Sequence, residues 1–257
     1  IKDLIKEDSG NVRVVIGELG DEEIKKFDLA VPSPGIALDT KLMLRIKEAG
    51  VKIISEIELA YLNMKGRLAA ITGTNGKTTT TALTGELLRS KYDKVFVVGN
   101  IGEAFTAHAL ETTEDSITVA EVSSFQLEAA DRFHPDVSAV LNITPDHLNR
   151  HYTMENYAAV KKNIFKNAGK EDVCVLNFND KYTRGFGMEG GLSNVLWFSS
   201  SQRPPCGFWL FGDKIMEVDE KGEREILKLS DCLLKGRVGA ENIMAALCIC
   251  KGLGEDA

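Results

Sequence analysis

The sequence contains no apolar run that approaches the roughly 18 residues of a membrane-spanning helix, so no transmembrane segment is predicted. The first ten residues, IKDLIKEDSG, lack the apolar core of a signal peptide. The five cysteines form no Cys-x-x-Cys pair, and an odd number without framework spacing indicates reduced thiols. These absences favour a cytoplasmic protein with structural cysteines at Cys174, Cys206, Cys232, Cys248 and Cys250.

Positive charge is also scarce, because 31 Lys and Arg stand against 38 Asp and Glu. The net charge of −7 argues against a broad nucleic-acid-binding face. No G-x-G-x-x-G motif directly follows a predicted strand, which disfavours a dinucleotide-dependent oxidoreductase. The 257 residues lack an initiator Met and stop directly after a helical pattern, so we expect part of a longer protein with one or two domains here.

The most informative stretch is residues 68–88, which read LAAITGTNGKTTTTALTGELL. An apolar strand, a glycine turn, Lys-Thr and a helical pattern make up the layout of a phosphate-binding loop. Its backbone N–H groups would face an anion, Lys77 would reach the terminal phosphates and Thr78 would hold Mg²⁺. The general motif has Gly where this chain has Ile71, so the loop is a shortened variant. Its predicted ATP-binding residues are Gly73, Thr74, Asn75, Gly76, Lys77, Thr78 and Thr79.

Residues 1–65 predict a piece of a βαβ domain. Strands are expected at 11–17, 28–31 and 51–54, and helices at 39–49 and 55–64. Ser55 and Glu58 have capping-box spacing at the start of the second helix. The segment Ser33-Pro34-Gly35 follows a strand and is either a binding loop or a plain turn. The predicted domain boundary is Lys65-Gly66.

Polar side chains follow three further predicted strands. Asn100 comes after 94–98 and either contacts a ligand or completes a turn. Glu121 ends the near-continuous apolar strand 116–122, where a carboxylate suits a metal ligand better than the core. After the strand 137–141 comes NITPDHLNRH, in which His147 is a candidate metal or oxyanion ligand. Ser123 and Ser124 fit helix capping.

The rest of the chain predicts a helix at 153–167, a strand at 172–177 and a Gly-rich loop at 182–193. Lys161 lies at the edge of the helix's apolar side, so the pattern alone predicts a plain surface lysine. Short strands at 195–199, 205–211, 214–218 and 224–229 predict an antiparallel addition to a parallel sheet. Asn242, near the start of a final helix at 239–250, either faces a ligand or caps the helix.

Several strings together resemble the Mur ligases of bacterial cell-wall synthesis over essentially the whole chain. They are SPGIAL, GTNGKTT, GNIG, SSFQLE, and NITPDHLNRH with its following Tyr157 and Lys161. GTNGKTT is shared with folylpolyglutamate synthases, whereas SSFQLE resembles the D-glutamate-adding members of the family.

The resemblance implies an α/β, ATP-dependent, ADP-forming amide ligase that adds D-glutamate to UDP-N-acetylmuramoyl-L-alanine through an acyl phosphate. Residues 1–65 would be a partial Rossmann-like UDP-substrate domain. Residues 66–257 would be the central P-loop ATPase-like domain, with a mostly parallel sheet and a small antiparallel addition. The C-terminal amino-acid-binding domain would be absent. No nucleic-acid or membrane partner is implied, and a monomer is expected.

Site roles follow from the resemblance residue by residue. Lys77, His147 and Lys161 would be catalytic, and Lys161 would carry a carbamate. Two Mg²⁺ ions would be held by Thr78 and Glu121 and by His147 and Lys161. Asn242 would face adenine. The UDP substrate would contact Ser33, Pro34, Gly35, Asn100, Ser123, Gln126 and His147.

The sequence departs from the family pattern at two places. Asn149 stands where the family usually has Asp, and Val238-Gly239 stands where it usually has His-Asn. The second departure removes the first of the two family asparagines near this helix, and Asn242 keeps the second. Two alternatives stay open: another ligase of the same or the folylpolyglutamate type, and a nucleotide-binding module without turnover. We expect the 257-residue chain by itself to bind Mg·ATP weakly and to form no amide.

Overall fold

Parallel strands alternate with helices through most of the chain, of which the computed structural model describes residues 12–256. The chain divides into two compact units. The smaller takes in the chain up to Ala30 and Ile36–Ile53, and the larger takes in Val31–Gly35 and everything from Ile54 onward. No helix within 12–256 is long and apolar enough to span a bilayer.

The described part of the smaller unit contains two short strands and two helices. Its elements are α1 (Asp21–Ile24), β1 (Leu29–Ala30), α2 (Lys41–Glu48) and β2 (Lys52–Ile53). β1 and β2 pair in parallel, and the apolar side chains Ile24, Met43, Ile46 and Val51 form its core. The prediction of a strand at 11–17 is wrong for residues 12–17. These residues are largely exposed and pair with no strand of the described range. Asn11 lies outside that range.

The larger unit contains a nine-stranded sheet flanked by helices. Its elements are α3 (Glu56–Tyr61), β3 (Arg67–Thr72), α4 (Lys77–Arg89), β4 (Val95–Gly99), α5 (Phe105–His108), β5 (Ile117–Glu121), α6 (Ser124–Leu127), β6 (Val137–Val140), α7 (Leu148–His151), α8 (Met154–Lys162), β7 (Val173–Asn177), α9 (Lys181–Met188), β8 (Asn194–Ser199), β9 (Gly207–Phe211), β10 (Lys214–Asp219), β11 (Gly222–Lys228) and α10 (Gly236–Gly252).

The strand order is β11-β10-β9-β8-β7-β6-β3-β5-β4. Every neighbouring pair from β4 through β5, β3, β6, β7 and β8 to β9 is parallel. β10 pairs antiparallel with β9, and β11 pairs antiparallel with β10. The predicted α/β class with a small antiparallel addition is therefore confirmed. β8 and β9 were expected in that addition, but they extend the parallel part.

The centre of the sheet is buried on both faces. Leu68 and Ala70 of β3 belong to a core with α3 and α8, whereas Ala69 and Ile71 point to a second core with α10. Because carboxyl ends of parallel strands meet at one edge, β3, β4, β5 and β6 deliver their following loops to a shared crevice. The strand order reverses beside β3, so this edge is a topological switch point.

The segment predicted as a loop at 182–193 contains the helix α9 instead. Asp180 caps it by accepting hydrogen bonds from the N–H groups of Tyr182 and Thr183, at 2.9 and 3.0 Å. Phe186 is buried. A Cβ at Gly187 would lie 2.4 Å from the Trp197 ring, so this glycine permits close packing of helix and strand rather than marking a loop.

The division after Ile53 differs from the predicted boundary at Lys65-Gly66 because α3 is part of the larger unit's core. Ser55 caps α3 by accepting from the Glu58 N–H at 3.3 Å. Glu58 does not complete the expected capping box. Its fully buried carboxylate accepts the N–H groups of Asp131, Arg132 and Phe133 at 2.8–2.9 Å.

Removal of the Glu58 carboxylate should therefore destabilise the larger unit. Glu58→Ala leaves three N–H donors without their acceptor, one of them buried and two part-buried, and we expect a loss of about 3 kcal/mol in the free energy of unfolding. The measurement is urea denaturation followed by circular dichroism. Glu155→Ala, at an exposed carboxylate, is the control and should change stability by less than about 0.5 kcal/mol. Equal losses of stability in the two variants would show that the hydrogen bonds to the Glu58 carboxylate do not stabilise the larger unit.

Candidate active site

The phosphate-binding loop connects β3 to α4, as the sequence predicts. Gly76 is the N-cap of α4 with φ of 86°, a conformation that favours glycine. A Cβ there would also lie 2.5 Å from Asn242 Oδ1. No side chain caps α4, so the N–H groups of its first turn remain available for an anion.

Two lysine side chains converge on one carbonyl oxygen of this loop. Lys77 Nζ donates to Gly73 O and Thr74 O, both at 3.1 Å. Lys161 Nζ donates to the same Gly73 oxygen at 2.9 Å and to Thr72 Oγ1 at 3.3 Å. The loop therefore holds two amine groups side by side, and the Lys77 ammonium gives it a local attraction for anions.

Lys161 is buried, with 1% of its surface exposed, so the pattern-based expectation of a surface lysine is wrong. Its helix α8 begins at the Thr153 cap and turns Tyr157 and Lys161 inward together, so that Nζ lies 4.7 Å from the centre of the Tyr157 ring. Burial, helped by the nearby Lys77 ammonium and opposed by Asp146, lowers the pKa of Lys161 to about 7. A large fraction of this amine is neutral at physiological pH and can act as a nucleophile.

Glu121 is the carboxylate of the site and is 2% exposed. Its Oε2 accepts from Thr78 Oγ1 at 2.9 Å, and its Oε1 accepts from Asn100 Nδ2 at 3.0 Å. The Glu121 backbone carbonyl also accepts the Asn100 N–H at 2.8 Å, and a Cβ at Gly99 would lie 2.2 Å from that oxygen. The structure thus brings together three residues predicted from three separate loops.

Thr78 and Glu121 fit a Mg²⁺ ion. Their oxygen atoms are the hard donors that this ion prefers. Within residues 12–256 the Glu121 carboxylate has only neutral hydrogen-bond partners and no ion pair, although it is almost completely buried. A buried anion of this kind is unfavourable without a cation.

His147 lies apart from this pair. Its backbone is left-handed, with φ of 51°, and its N–H donates to Asp146 Oδ1 at 2.8 Å. The imidazole packs 4.9 Å from the Phe125 ring centre and lies 3.5 Å, Nε2 to Oδ2, from Asp146. Over the described residues it makes no hydrogen bond to Lys161 or Glu121, and no three His, Cys, Asp or Glu side chains there form a preformed metal cluster.

Ser123 and Gln126 are joined at the start of α6. Ser123 is the N-cap, and its N–H and hydroxyl both donate to Gln126 Oε1 at 2.9 Å. Gln126 is 3% exposed and donates from Nε2 to Glu56 Oε2 at 3.4 Å. Ser123 capping is as predicted, and the Gln126 amide is engaged inside the protein.

The remaining predicted residues occupy different surroundings. Asn242 lies against the phosphate loop, where its Oδ1 accepts from Thr80 Oγ1 at 3.3 Å. A Cβ at Gly239 would lie 2.9 Å from the Leu234 carbonyl carbon, so no larger side chain fits there without a shift. The segment Ser33-Pro34-Gly35 forms a turn with Ser33 exposed, and Asn149 is exposed in α7.

Two groups of residues that support the site were not predicted. Asn142 and Thr144 hydrogen-bond to the phosphate loop, as described below. A second group supports the wall next to His147. There Arg150 pairs with Glu128 at 2.5 Å, lies 4.8 Å above the Phe125 ring, and adjoins buried His151, which bonds Ser124 Oγ at 3.0 Å. Burial lowers the pKa of His151. The polar density of NITPDHLNRH was the available signal for both groups.

A pH-dependent stability is expected from Lys161. Its folded-state pKa of about 7 lies below the usual 10.5, so the unfolded chain binds more protons between these values and stability rises with pH there. Lys161→Met should stabilise the protein by about 4 kcal/mol at pH 6, and this gain should shrink towards pH 10. Urea denaturation in carbon-dioxide-depleted buffer measures it. Lys162→Met, where the side chain is 43% exposed, is the control; a gain at Lys161 that is constant with pH would contradict the prediction.

Comparison with known proteins agrees with this geometry. The family model of the Mur ligase middle domain matches residues 71–250. The UDP-N-acetylmuramoylalanine–D-glutamate ligase of Lachnospira eligens is 49% identical over 241 residues, which cover 94% of this chain and 53% of that protein. The enzyme of the same name from Lachnoclostridium phytofermentans is 47% identical, over 91% of this chain and 51% of that protein. The chain spans about half the length of these curated relatives.

Solved structures share the fold at low identity. UDP-N-acetylmuramoyl-L-alanyl-D-glutamate–2,6-diaminopimelate ligase matches with a TM-score of 0.60 at 21% identity, covering 90% of this chain and 60% of that one. MurF ligase from Thermotoga maritima in complex with ADP matches with a TM-score of 0.58 at 20% identity, covering 93% and 63%. The family model spans more than half of the sequence, and the chain therefore belongs to the Mur ligase family.

Proposed function

We propose that the protein carrying this chain is a cytoplasmic, ATP-dependent ligase that adds D-glutamate to UDP-N-acetylmuramoyl-L-alanine and forms ADP. The observation that carries the proposal is the convergence of Lys77 and Lys161 on the Gly73 carbonyl, in the loop where Thr78 contacts Glu121. The names of relatives at 47–49% identity support the substrates.

The chemistry requires two anions to meet. The substrate carboxylate attacks the γ-phosphorus of ATP, the bond to the bridging oxygen of ADP breaks, and an acyl phosphate forms. The amine of D-glutamate then attacks the acyl carbon, loses a proton and expels phosphate. Lys77, already directed at the loop, would stabilise charge on the transferring phosphoryl group.

Thr78 and Glu121 would hold one Mg²⁺, which neutralises phosphate charge when bound. Both side-chain oxygens would then turn from each other towards the ion. Asn100 would keep the Glu121 carboxylate oriented through the hydrogen bond to Oε1. His147 would serve a second Mg²⁺ together with a modified Lys161.

Lys161 is proposed to carry a carbamate. The neutral form of its buried amine attacks CO₂, a C–N bond forms, and one proton leaves to solvent. The product is an anion in place of a cation beside Lys77, so a repulsive pair becomes an attractive one. Tyr157 lies against the lysine and covers it from solvent.

The substrate contacts and domain roles complete the proposal. The smaller unit would be part of the UDP-binding domain and the larger unit the ATP-binding domain, with the amino-acid-binding domain outside this chain. Adenine would lie near Asn242. The UDP substrate would contact Ser33, Pro34, Gly35, Asn100, Ser123, Gln126 and His147. Gln126 would make this contact while its Oε1 stays hydrogen-bonded to Ser123.

A second candidate is that the protein carrying this chain is a nucleotide-binding module without turnover. The uncapped helix start after Gly76 supports nucleotide binding whether or not an amide is formed. Mg·ATP binding by the 257-residue chain with no amide formation fits both candidates, because they differ only for the full-length protein.

The deciding assay measures ADP release by the full-length protein with UDP-N-acetylmuramoyl-L-alanine. D-Glutamate should raise the rate at least about tenfold above the amino-acid-free background, since the second step needs its amine. L-Lysine and diaminopimelate are the comparison amino acids. Stimulation by one of these instead would assign another ligase of the family. No stimulation by any of them, with this substrate or with its D-glutamyl form as the acceptor, would favour the module.

Lys161→Ala in the full-length protein should lower kcat by about 10³-fold or more, because the variant cannot form the carbamate. Added bicarbonate should not restore the rate. Short carboxylic acids, which can occupy the space left by the side chain, are expected to restore part of it. Tyr182→Ala, on a separate helix, is the control; normal turnover of the Lys161 variant would reject the role.

A further inference from the structure

The side chain of Asn142 forms two hydrogen bonds with the main chain of the phosphate loop. Its Oδ1 accepts the Asn75 N–H at 2.8 Å, and its Nδ2 donates to the Asn75 carbonyl at 2.9 Å. One amide group thus pairs with both polar backbone groups of one residue, as a neighbouring strand would. The backbone carbonyl of Asn142 also accepts the Thr74 N–H at 2.9 Å.

Thr144 adds further hydrogen bonds to the same loop. Its N–H donates to Thr74 Oγ1 at 3.1 Å, and Thr74 Oγ1 donates to the Thr144 carbonyl at 3.2 Å. Thr144 Oγ1 accepts from Asn75 Nδ2 at 3.4 Å. We call Asn142 and Thr144 the loop clamp. It ties the first half of the phosphate loop to the end of β6.

The clamp changes which backbone groups can meet a phosphate. The N–H groups of Thr74 and Asn75 are both occupied by Asn142, whereas the helix start at Gly76–Thr79 has no side-chain cap. The Asn142 amide can donate to the Asn75 carbonyl and accept from its N–H at once, whereas an ionised carboxylate can only accept. A carboxylate in its place would lose the donor and would also repel a phosphate.

We infer that Asn142 is a positioning residue for nucleotide binding, which holds the loop so that the N–H groups of residues 76–79, and not of Asn75, receive the phosphates. This inference rests on the proposed function, because it presupposes that the loop binds ATP. Asn142 acts through the loop and does not itself touch the nucleotide.

The test compares Kd values for Mg·ATP and for adenosine by calorimetry. Asn142→Asp should weaken Mg·ATP binding by about 30-fold or more and Asn142→Ala by about tenfold, since loop order and hydrogen bonds are lost. Adenosine affinity should change by less than about twofold, because it has no phosphate. Asn63→Asp adds the same charge at an exposed residue directly after α3 and should leave both Kd values unchanged.

A second measurement uses the unaltered protein, so it holds even if a variant fails to fold. On titration with tripolyphosphate and Mg²⁺, the ¹H–¹⁵N signals of Gly76, Lys77 and Thr78 should move much further than that of Asn75. A wild type that binds no nucleotide or tripolyphosphate would overturn the proposed function. A wild type that binds, with unchanged Kd in both Asn142 variants or with Asn75 shifting most, would overturn the inference alone.

Discussion

The site depends on the position of β3 between β5 and β6 in the parallel sheet. This order places the phosphate loop directly between Glu121 at the end of β5 and Asn142 after β6. Strand β3 is buried on both faces, with Ala70 in one core and Ala69 in the other. The loop therefore lies between a buried carboxylate from one neighbour and a neutral amide from the other.

Two ionisable side chains of this crevice are shielded from solvent. Lys161 and Glu121 are almost fully buried, yet they do not pair with each other; the lysine bonds to a backbone carbonyl and the carboxylate to a hydroxyl and an amide. Each carries a cost that a ligand can relieve. Under the proposed function, a cation bound beside Glu121 and a carbamate formed on Lys161 would each relieve the cost of one of these buried groups.

Sequence reasoning located Lys77 and Thr78 through the glycine turn and Lys-Thr motif, and Asn100 and Glu121 because each stands at a strand end, where parallel topology gathers side chains. It missed the burial of Lys161 because a lysine is expected at the surface by default, although its i+4 spacing from Tyr157 was the available signal. α9 was missed because its glycines resemble a loop composition, whereas one of them, Gly187, permits packing against Trp197. Asn142 and Glu58 were missed because their partners are backbone groups, at Asn75 and at residues 131–133, which leave no pattern in a sequence.

The packing of Trp197 has a practical consequence for studies of this chain. The two tryptophans, Trp197 and Trp209, stand on β8 and β9, separated from β3 by β6 and β7. Trp197 is buried against Gly187 and meets Phe178 edge to face. Intrinsic fluorescence therefore reports the integrity of the distant side of the sheet. Ligand binding at the phosphate loop should not change this fluorescence. Loss of binding and loss of folded structure can therefore be measured separately in one sample.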